Sequence, residues 1–107
     1  MAITVEGCSG TKYSFEGPYS GTDSLSDNSG VYLIVCKNGS EYDPIDVGES
    51  ATVKTRVENH DRAECWKKNC KNTLMVAVYY TANKQQAGRM EVEQDIRCKY
   101  NFPCGTK

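Results

Sequence analysis

Four side chains in this sequence are suited to chemistry on a phosphate ester: Tyr32, Arg56, His60 and Glu93. Arg56 and His60 are four residues apart in a segment with the pattern of a helix, so they lie on one face of it. A guanidinium matches a phosphate, a histidine transfers protons near neutral pH, and a glutamate oxygen is a hard ligand for a divalent metal. A tyrosine hydroxyl orients or deprotonates a water molecule when a neighbouring cation lowers its pKa. Together these residues indicate hydrolysis of a phosphodiester rather than a structural module.

The last predicted helix carries two candidate carboxylates, and helix geometry separates them. At about 100° per residue, Glu93 lies near the apolar stripe of Met90 and Ile96, whereas Glu91 projects toward the opposite side. A glutamate on an apolar stripe needs a partner, because burying its charge unpaired is costly. A metal ion is one such partner, and Arg97 at position i+4 is another. We therefore expect Glu93 to be the metal ligand.

Five short β-prone runs, bounded by turn residues, predict the strands that must position these side chains. They cover residues 3–5, 12–15, 31–36, 42–47 and 74–80. Pro44 lies in the fourth run and favours an edge position or a later start of the strand, because proline cannot donate a hydrogen bond to a neighbouring strand.

Three helices are predicted: one beginning at Ala51, one over 62–69 and one from about 86 to 100. Gly48 permits a tight turn before the first helix, and Ser50 is a candidate N-cap for it. Asp61 with Glu64 three residues later resembles a capping box for the second helix.

The order of these elements predicts an α+β fold. From residue 29 onward the order β-β-α-α-β-α favours a small three-stranded, mostly antiparallel sheet flanked by helices. The two runs before it predict an N-terminal β-hairpin and loop extension. The expected organisation is therefore an extension over 1–28 and a domain over 29–107.

The candidate residues occur in an order that resembles the GIY-YIG nuclease superfamily over roughly residues 30–105. The matching motifs are Gly30-Val31-Tyr32 and Asp46-Val47-Gly48, followed by Arg56, His60 and Glu93. The resemblance implies a metal-dependent endonuclease that hydrolyses DNA with one divalent ion, Mg²⁺ or Mn²⁺, on Glu93. It also implies that Tyr32 orients the water and Arg56 holds the phosphate, with His60 or Asp46 assisting proton transfer.

Asp46 departs from that pattern, because it stands where the family has its second tyrosine. A carboxylate does not reproduce the geometry or the pKa of a phenol, and Tyr42 or Tyr79 would have to approach the site to replace it. Glu49 stands where some members carry a lysine. These departures favour an alternative function: a catalytically weak or inactive module that binds nucleic acid or protein.

The net charge of −1 argues against strong non-specific binding to DNA. The distribution is uneven, because residues 54–71 contain six basic and three acidic side chains. This stretch predicts a basic surface, either a nucleic-acid contact or a solvated helix face. The expected partner is DNA, branched or damaged DNA among the candidate substrates, with a protein partner as a candidate source of specificity. No apolar run approaches the ~20 residues needed to cross a bilayer, so no membrane partner is expected.

Six cysteines in so short a sequence raise the question of disulfides or zinc. The sequence starts without a basic segment followed by an apolar one, so we expect a cytoplasmic protein with reduced thiols. The spacing of Cys65 and Cys70 is not that of a zinc knuckle, although His60 could join them as a ligand. Cys36 and Cys98 have apolar neighbours and are expected to be small core residues.

Overall fold

The computed structural model of the chain describes residues 2–105. Residue 1 of the predicted extension and residues 106–107 of the predicted domain lie outside the described range. The strands are β1 (Ala2–Glu6), β2 (Lys12–Tyr19), β3 (Gly30–Asn38), β4 (Glu41–Ser50) and β5 (Thr73–Tyr80). The helices are α1 (Val53–Glu58), α2 (Ala63–Lys68) and α3 (Gln86–Lys99).

The described strands form one five-stranded sheet in the order β1-β2-β5-β3-β4, with antiparallel neighbours throughout. The α+β class is confirmed, but the predicted three-stranded sheet is wrong in its strand number. The N-terminal hairpin joins the sheet because β2 pairs with β5, placing Glu16 opposite Val78. The predicted boundary near residue 28 therefore falls in the loop between β2 and β3 of a continuous sheet.

Strand β3 lies in the middle of the helix-covered part of the sheet and is buried on both faces. One face presents Tyr32 and Ile34 to a core cluster that also contains Val53 of α1 and Trp66 of α2. The other face carries Val31, Leu33 and Val35, which pack with Val92 and Ile96 of α3. A strand covered on both faces reads as an unbroken apolar run, which explains the sequence of β3. Tyr32 is therefore held rigidly in the interior.

Strand β4 is an edge strand, as Pro44 predicts. A bulge displaces its register between Ile34 and Val35 of β3, which pair with Asp46 and Pro44 respectively. The predicted tight turn at Gly48 is wrong, because β4 continues to Ser50. Gly48 lies opposite Tyr32, and a Cβ atom at this position would overlap the tyrosine hydroxyl. Glycine is thus required for close approach rather than for a turn.

The helix starts differ from the predictions made from capping signals. Helix α1 begins at Val53 rather than Ala51, and Ser50 Oγ accepts a hydrogen bond from Thr52 N instead of capping the helix. Helix α2 has no side-chain cap; Asp61 pairs with Arg56 instead. Both predicted caps are thus replaced by other local contacts, within two and five positions along the chain.

All six cysteines form disulfides, so the prediction of reduced thiols is wrong. The pairs are Cys8–Cys98, Cys36–Cys70 and Cys65–Cys104. The same pairing overturns the zinc alternative at Cys65 and Cys70. The prediction of a core position is right for Cys36, which is 2 % exposed, and wrong for Cys98, which lies at the surface. Between residues 2 and 105, no helix is long and apolar enough to span a bilayer.

Candidate active site

The centre of the site is a buried pair formed by Tyr32 of β3 and His60 of the loop between α1 and α2. Tyr32 Oη lies 2.6 Å from His60 Nε2, and the two residues are 2 % and 6 % exposed. The other ring nitrogen, Nδ1, accepts the backbone N–H of Arg62 at 3.0 Å. That bond places the proton of a neutral His60 on Nε2, so His60 donates to the tyrosine oxygen. The hydroxyl proton of Tyr32 is then free for another acceptor.

Burial governs the ionisation of both members of this pair. Burial raises the pKa of Tyr32 to about 12, against the lowering effect of the positive charges on Arg56 and Arg62. Burial, together with the charges of the same two arginines, lowers the pKa of His60 to about 4. Both groups are therefore neutral at pH 7, and Tyr32 is a hydrogen-bond donor rather than a phenolate.

Arg56, in the last turn of α1, brings a guanidinium to the solvent side of the pair. Its side chain is 39 % exposed, and Nη2 donates to Asp61 Oδ1 at 3.1 Å. The same carboxylate oxygen lies 3.2 Å from His60 Nδ1, although the Asp61 side chain is 74 % exposed. An exposed ion pair of this kind contributes little to stability, so an entering anion can displace Asp61 readily. Displacement of Asp61 would leave the Arg56 guanidinium free to bind another anion.

Asp46 is held in a buried network of donors. Oδ2 accepts Arg62 Nε at 2.7 Å and Trp66 Nε1 at 2.8 Å. Oδ1 accepts Arg97 Nη2 and the backbone N–H of Val47, both at 2.8 Å. The Asp46 side chain is fully buried, and these bonds fill its acceptor positions. The structure therefore places this candidate residue where it orients arginines.

Sequence reasoning did not identify Arg62, Trp66 and Arg97 as partners of Asp46. The signal that pointed to them was the aspartate itself, because a carboxylate within an otherwise apolar strand needs buried cationic or N–H donors. Which donors supply the contact depends on long-range packing, since Arg97 is 51 positions along the chain from Asp46.

Glu93 lies on α3 with its side chain 17 % exposed, whereas Glu91 is exposed. Burial raises the pKa of Glu93, the charge of Arg97 lowers it, and Glu49 raises it by repulsion. Arg97 Nε lies 3.6 Å from Glu93 Oε2, so the i+4 partner considered in the sequence is present. Among residues 2–105, that buried Nε has no hydrogen-bond partner. The Glu93 carboxylate is thus half-buried beside the Arg97 guanidinium, and it accepts no hydrogen bond from Arg97 Nε.

The five candidate residues do not form a single contact cluster. Tyr32, Arg56 and His60 lie together, and Asp46 is joined to that group through Arg62. Glu93 is joined to Asp46 in turn through Arg97, which contacts both carboxylates. Within residues 2–105, no three metal-ligating side chains converge. A divalent ion with one carboxylate ligand that keeps several waters fits this donor set.

The two tyrosines considered as substitutes for the missing phenol are elsewhere. Tyr42 lines an apolar cavity with Ile3 and Pro44. Tyr79 packs against the rings of Tyr13 and Phe15, at centroid distances of 5.4 and 5.7 Å. Neither ring takes the place that the second tyrosine has in the family motif.

Comparison of the chain with protein-family models, with curated proteins and with solved structures finds no match. The chemistry of the site itself is therefore the ground for a functional proposal.

Proposed function

We propose that this protein is a metal-dependent endonuclease of GIY-YIG type that hydrolyses phosphodiester bonds in DNA. The observation that supports this most is the buried Tyr32–His60 pair, 2.6 Å apart, with the Arg56 guanidinium at its solvent side. A neutral tyrosine, a neutral histidine and a partly exposed arginine are the groups needed to bind a phosphodiester and orient a water molecule beside it.

Arg56 binds the phosphate and stabilises the charge that grows on its oxygens during attack. Tyr32 uses its free hydroxyl proton to orient the attacking water or to donate to a phosphate oxygen. For Tyr32 to act as a base, its proton must first leave. The His60 N–H donor and the nearby arginine charges would then stabilise the phenolate.

Glu93 would hold the divalent ion, Mg²⁺ or Mn²⁺, which when bound polarises a phosphoryl oxygen. The burial that raises the pKa of Glu93 supports this role, because a half-buried carboxylate is stabilised by a cation. Glu49 repels Glu93 and raises its pKa, although the charge of Glu49 is already paired with Arg89 at 2.9 Å.

The alternative function is a module that binds nucleic acid or protein without cleaving it. The burial of Asp46 favours this alternative, because the carboxylate that replaces the second tyrosine is occupied by Arg62, Arg97 and Trp66. A site without that phenol has one fewer group to orient water.

We propose DNA as the partner, with branched or damaged DNA as candidate forms and a protein partner as a candidate source of specificity. The reduced cysteines expected from the sequence followed from the expected cytoplasmic location, so disulfides speak against that location. Three disulfides favour an oxidising compartment.

A cleavage assay on supercoiled plasmid and branched DNA, with Mg²⁺ or Mn²⁺, tests the proposal. We expect metal-dependent cleavage by the wild type, its loss in Glu93→Ala and its retention in the matched Glu91→Ala variant. Binding without cleavage under every metal condition would instead favour the binding module.

A further inference from the structure

We propose that Arg62 is a second phosphate-binding residue, held toward the site by Asp46, so that Arg56 and Arg62 bind one phosphodiester between them. The inference rests on the proposed function for the identity of the anion. It adds a residue to which neither the sequence reasoning nor the resemblance gave a role.

Arg62 immediately precedes α2 and is positioned by a two-point contact. Nε and Nη2 donate to the two oxygens of Asp46, at 2.7 and 3.3 Å, and Nη1 takes no part in that contact. The side chain is 31 % exposed although its partner carboxylate is fully buried. A guanidinium fixed on one side and open to solvent on another is preorganised for an anion, because little rotamer entropy is lost on binding.

Arg62 acts on the same two buried groups as Arg56. The backbone N–H of Arg62 donates to His60 Nδ1 at 3.0 Å, so Arg62 is anchored at the histidine of the pair, and the charges of Arg56 and Arg62 both lower the pKa of Tyr32 and of His60. The carboxylate of Asp61 already lies 3.1 Å from the Arg56 guanidinium and marks a position beside Arg56 that an anionic group occupies. In this proposal, a phosphate that displaces the exposed carboxylate binds Arg56 and the free Nη1 of Arg62.

Asp46 is fixed from the opposite side, so it acts as a positioning residue for Arg62. Arg97 donates to Asp46 Oδ1 and to the carbonyl of Cys104, at 2.8 and 3.1 Å. A Cβ atom at Gly105 would come within 2.9 Å of Asp46 Oδ1, so the C-terminal segment closes tightly over the carboxylate. Where the family has its second tyrosine, Asp46 supplies no phenol and instead holds the guanidinium of Arg62 in position.

The test is equilibrium binding of a fluorescent DNA duplex in EDTA, where no cleavage occurs. We expect Arg62→Gln to weaken binding about tenfold, because one charged hydrogen bond is lost. The slope of log K against log salt should also fall by about one. Lys12→Gln, an exposed change on β2 outside the basic stretch of residues 54–71, is the matched control and should change Kd less than about threefold.

A double-mutant cycle separates positioning from folding. Asp46→Asn should weaken binding in the same direction, and adding it to Arg62→Gln should cause no further loss. Inorganic phosphate, titrated against the wild type, should shift the ring resonances of His60, and this response should be absent in Arg62→Gln. The phosphate readout keeps the inference testable even when Asp46→Asn is poorly folded.

The outcomes distinguish this inference from the proposed function. Equal weakening by Lys12→Gln and Arg62→Gln, or an unchanged phosphate response in Arg62→Gln, overturns the role of Arg62 and leaves the nuclease proposal intact. Specific loss of binding in Arg62→Gln supports Arg62 even when the wild type shows no cleavage. A wild type that neither binds nor cleaves DNA overturns both.

Discussion

Replacing Asp46 by alanine removes the acceptor around which the site is built, and the structure sets the size of the effect. Arg97 is 3 % exposed and would lose its principal carboxylate partner, with only Glu93 remaining at 3.6 Å. Removing one partner of a buried ion pair costs roughly 3–5 kcal/mol, and the remaining glutamate places this case near about 3 kcal/mol. Trp66 Nε1 loses its acceptor at a cost of at least about 1 kcal/mol.

The total of about 4 kcal/mol is large against the 5–15 kcal/mol that typically stabilises a domain. At about 4–8 °C for each kcal/mol, Asp46→Ala should lower Tm by roughly 16–32 °C in a thermal melt followed by circular dichroism. Asp23→Ala, in an exposed loop, is the control and should change the stability by less than about 0.5 kcal/mol.

A second variant shows whether the unpaired charge of Arg97 causes the loss of stability in Asp46→Ala. Asp46→Ala combined with Arg97→Met should recover much of the lost stability, because removing both members of a buried ion pair is often neutral. A loss below about 1 kcal/mol in Asp46→Ala alone would refute the reasoning. The buried network would then not be a stabilising feature of the fold.

The other predictions concern ionisation, the tyrosine and the cysteines. His60 is the only histidine, and its NMR titration should have a midpoint near pH 4 rather than near 6.5. Because the unfolded chain binds this proton at a higher pH than the folded one, stability present above pH 6.5 should fall by about 3 kcal/mol as the pH drops toward 4. A midpoint near 6.5 would contradict the burial argument. Tyr32→Phe should reduce cleavage by about 10²–10³ without unfolding the protein, and an unchanged rate would remove Tyr32 from the reaction. Denatured, unreduced protein should show no reactive thiol, and six reactive thiols would contradict the disulfide pairing.

The order of the elements could be predicted from the sequence because the signals that set it are local. The apolar run around Tyr32 is such a signal. The predicted helical spacing of Arg56 and His60 is wrong, because α1 ends at Glu58 and His60 lies in the loop that follows, although the structure still brings both residues close to Tyr32. The missing N–H of Pro44 is an equally local signal, and it favours an edge position for the strand over residues 42–47.

The strand number of the sheet, the disulfides and the partners of Asp46 depend on contacts between distant parts of the chain. The sequence predicts the N-terminal hairpin as a separate extension. Its pairing with the sheet is not visible in the sequence, because β2 and β5 join residues some 60 positions apart, such as Glu16 and Val78. The sequence does not predict the disulfides, because the expected redox state follows from the expected location. Six cysteines also allow 15 pairings that sequence alone cannot rank. The role of Asp46 was open for the same reason, because its donors Arg62 and Arg97 come from two separate elements.

The rate of Mn²⁺-dependent DNA cleavage by Arg56→Ala, relative to the wild type, tests the central claim most directly. If Arg56 stabilises phosphate charge beside Tyr32 and His60, its loss should reduce the rate by roughly 10²–10³, equivalent to about 3–4 kcal/mol. Arg56→Lys should rescue the rate poorly, because a point charge does not make the bidentate contact. Lys12→Ala, an exposed change on β2, is the control for basic charge, and a thermal melt should show that Arg56→Ala remains folded. Cleavage by Arg56→Ala at the wild-type rate would contradict the catalytic assignment and leave DNA or protein binding as the function of the site.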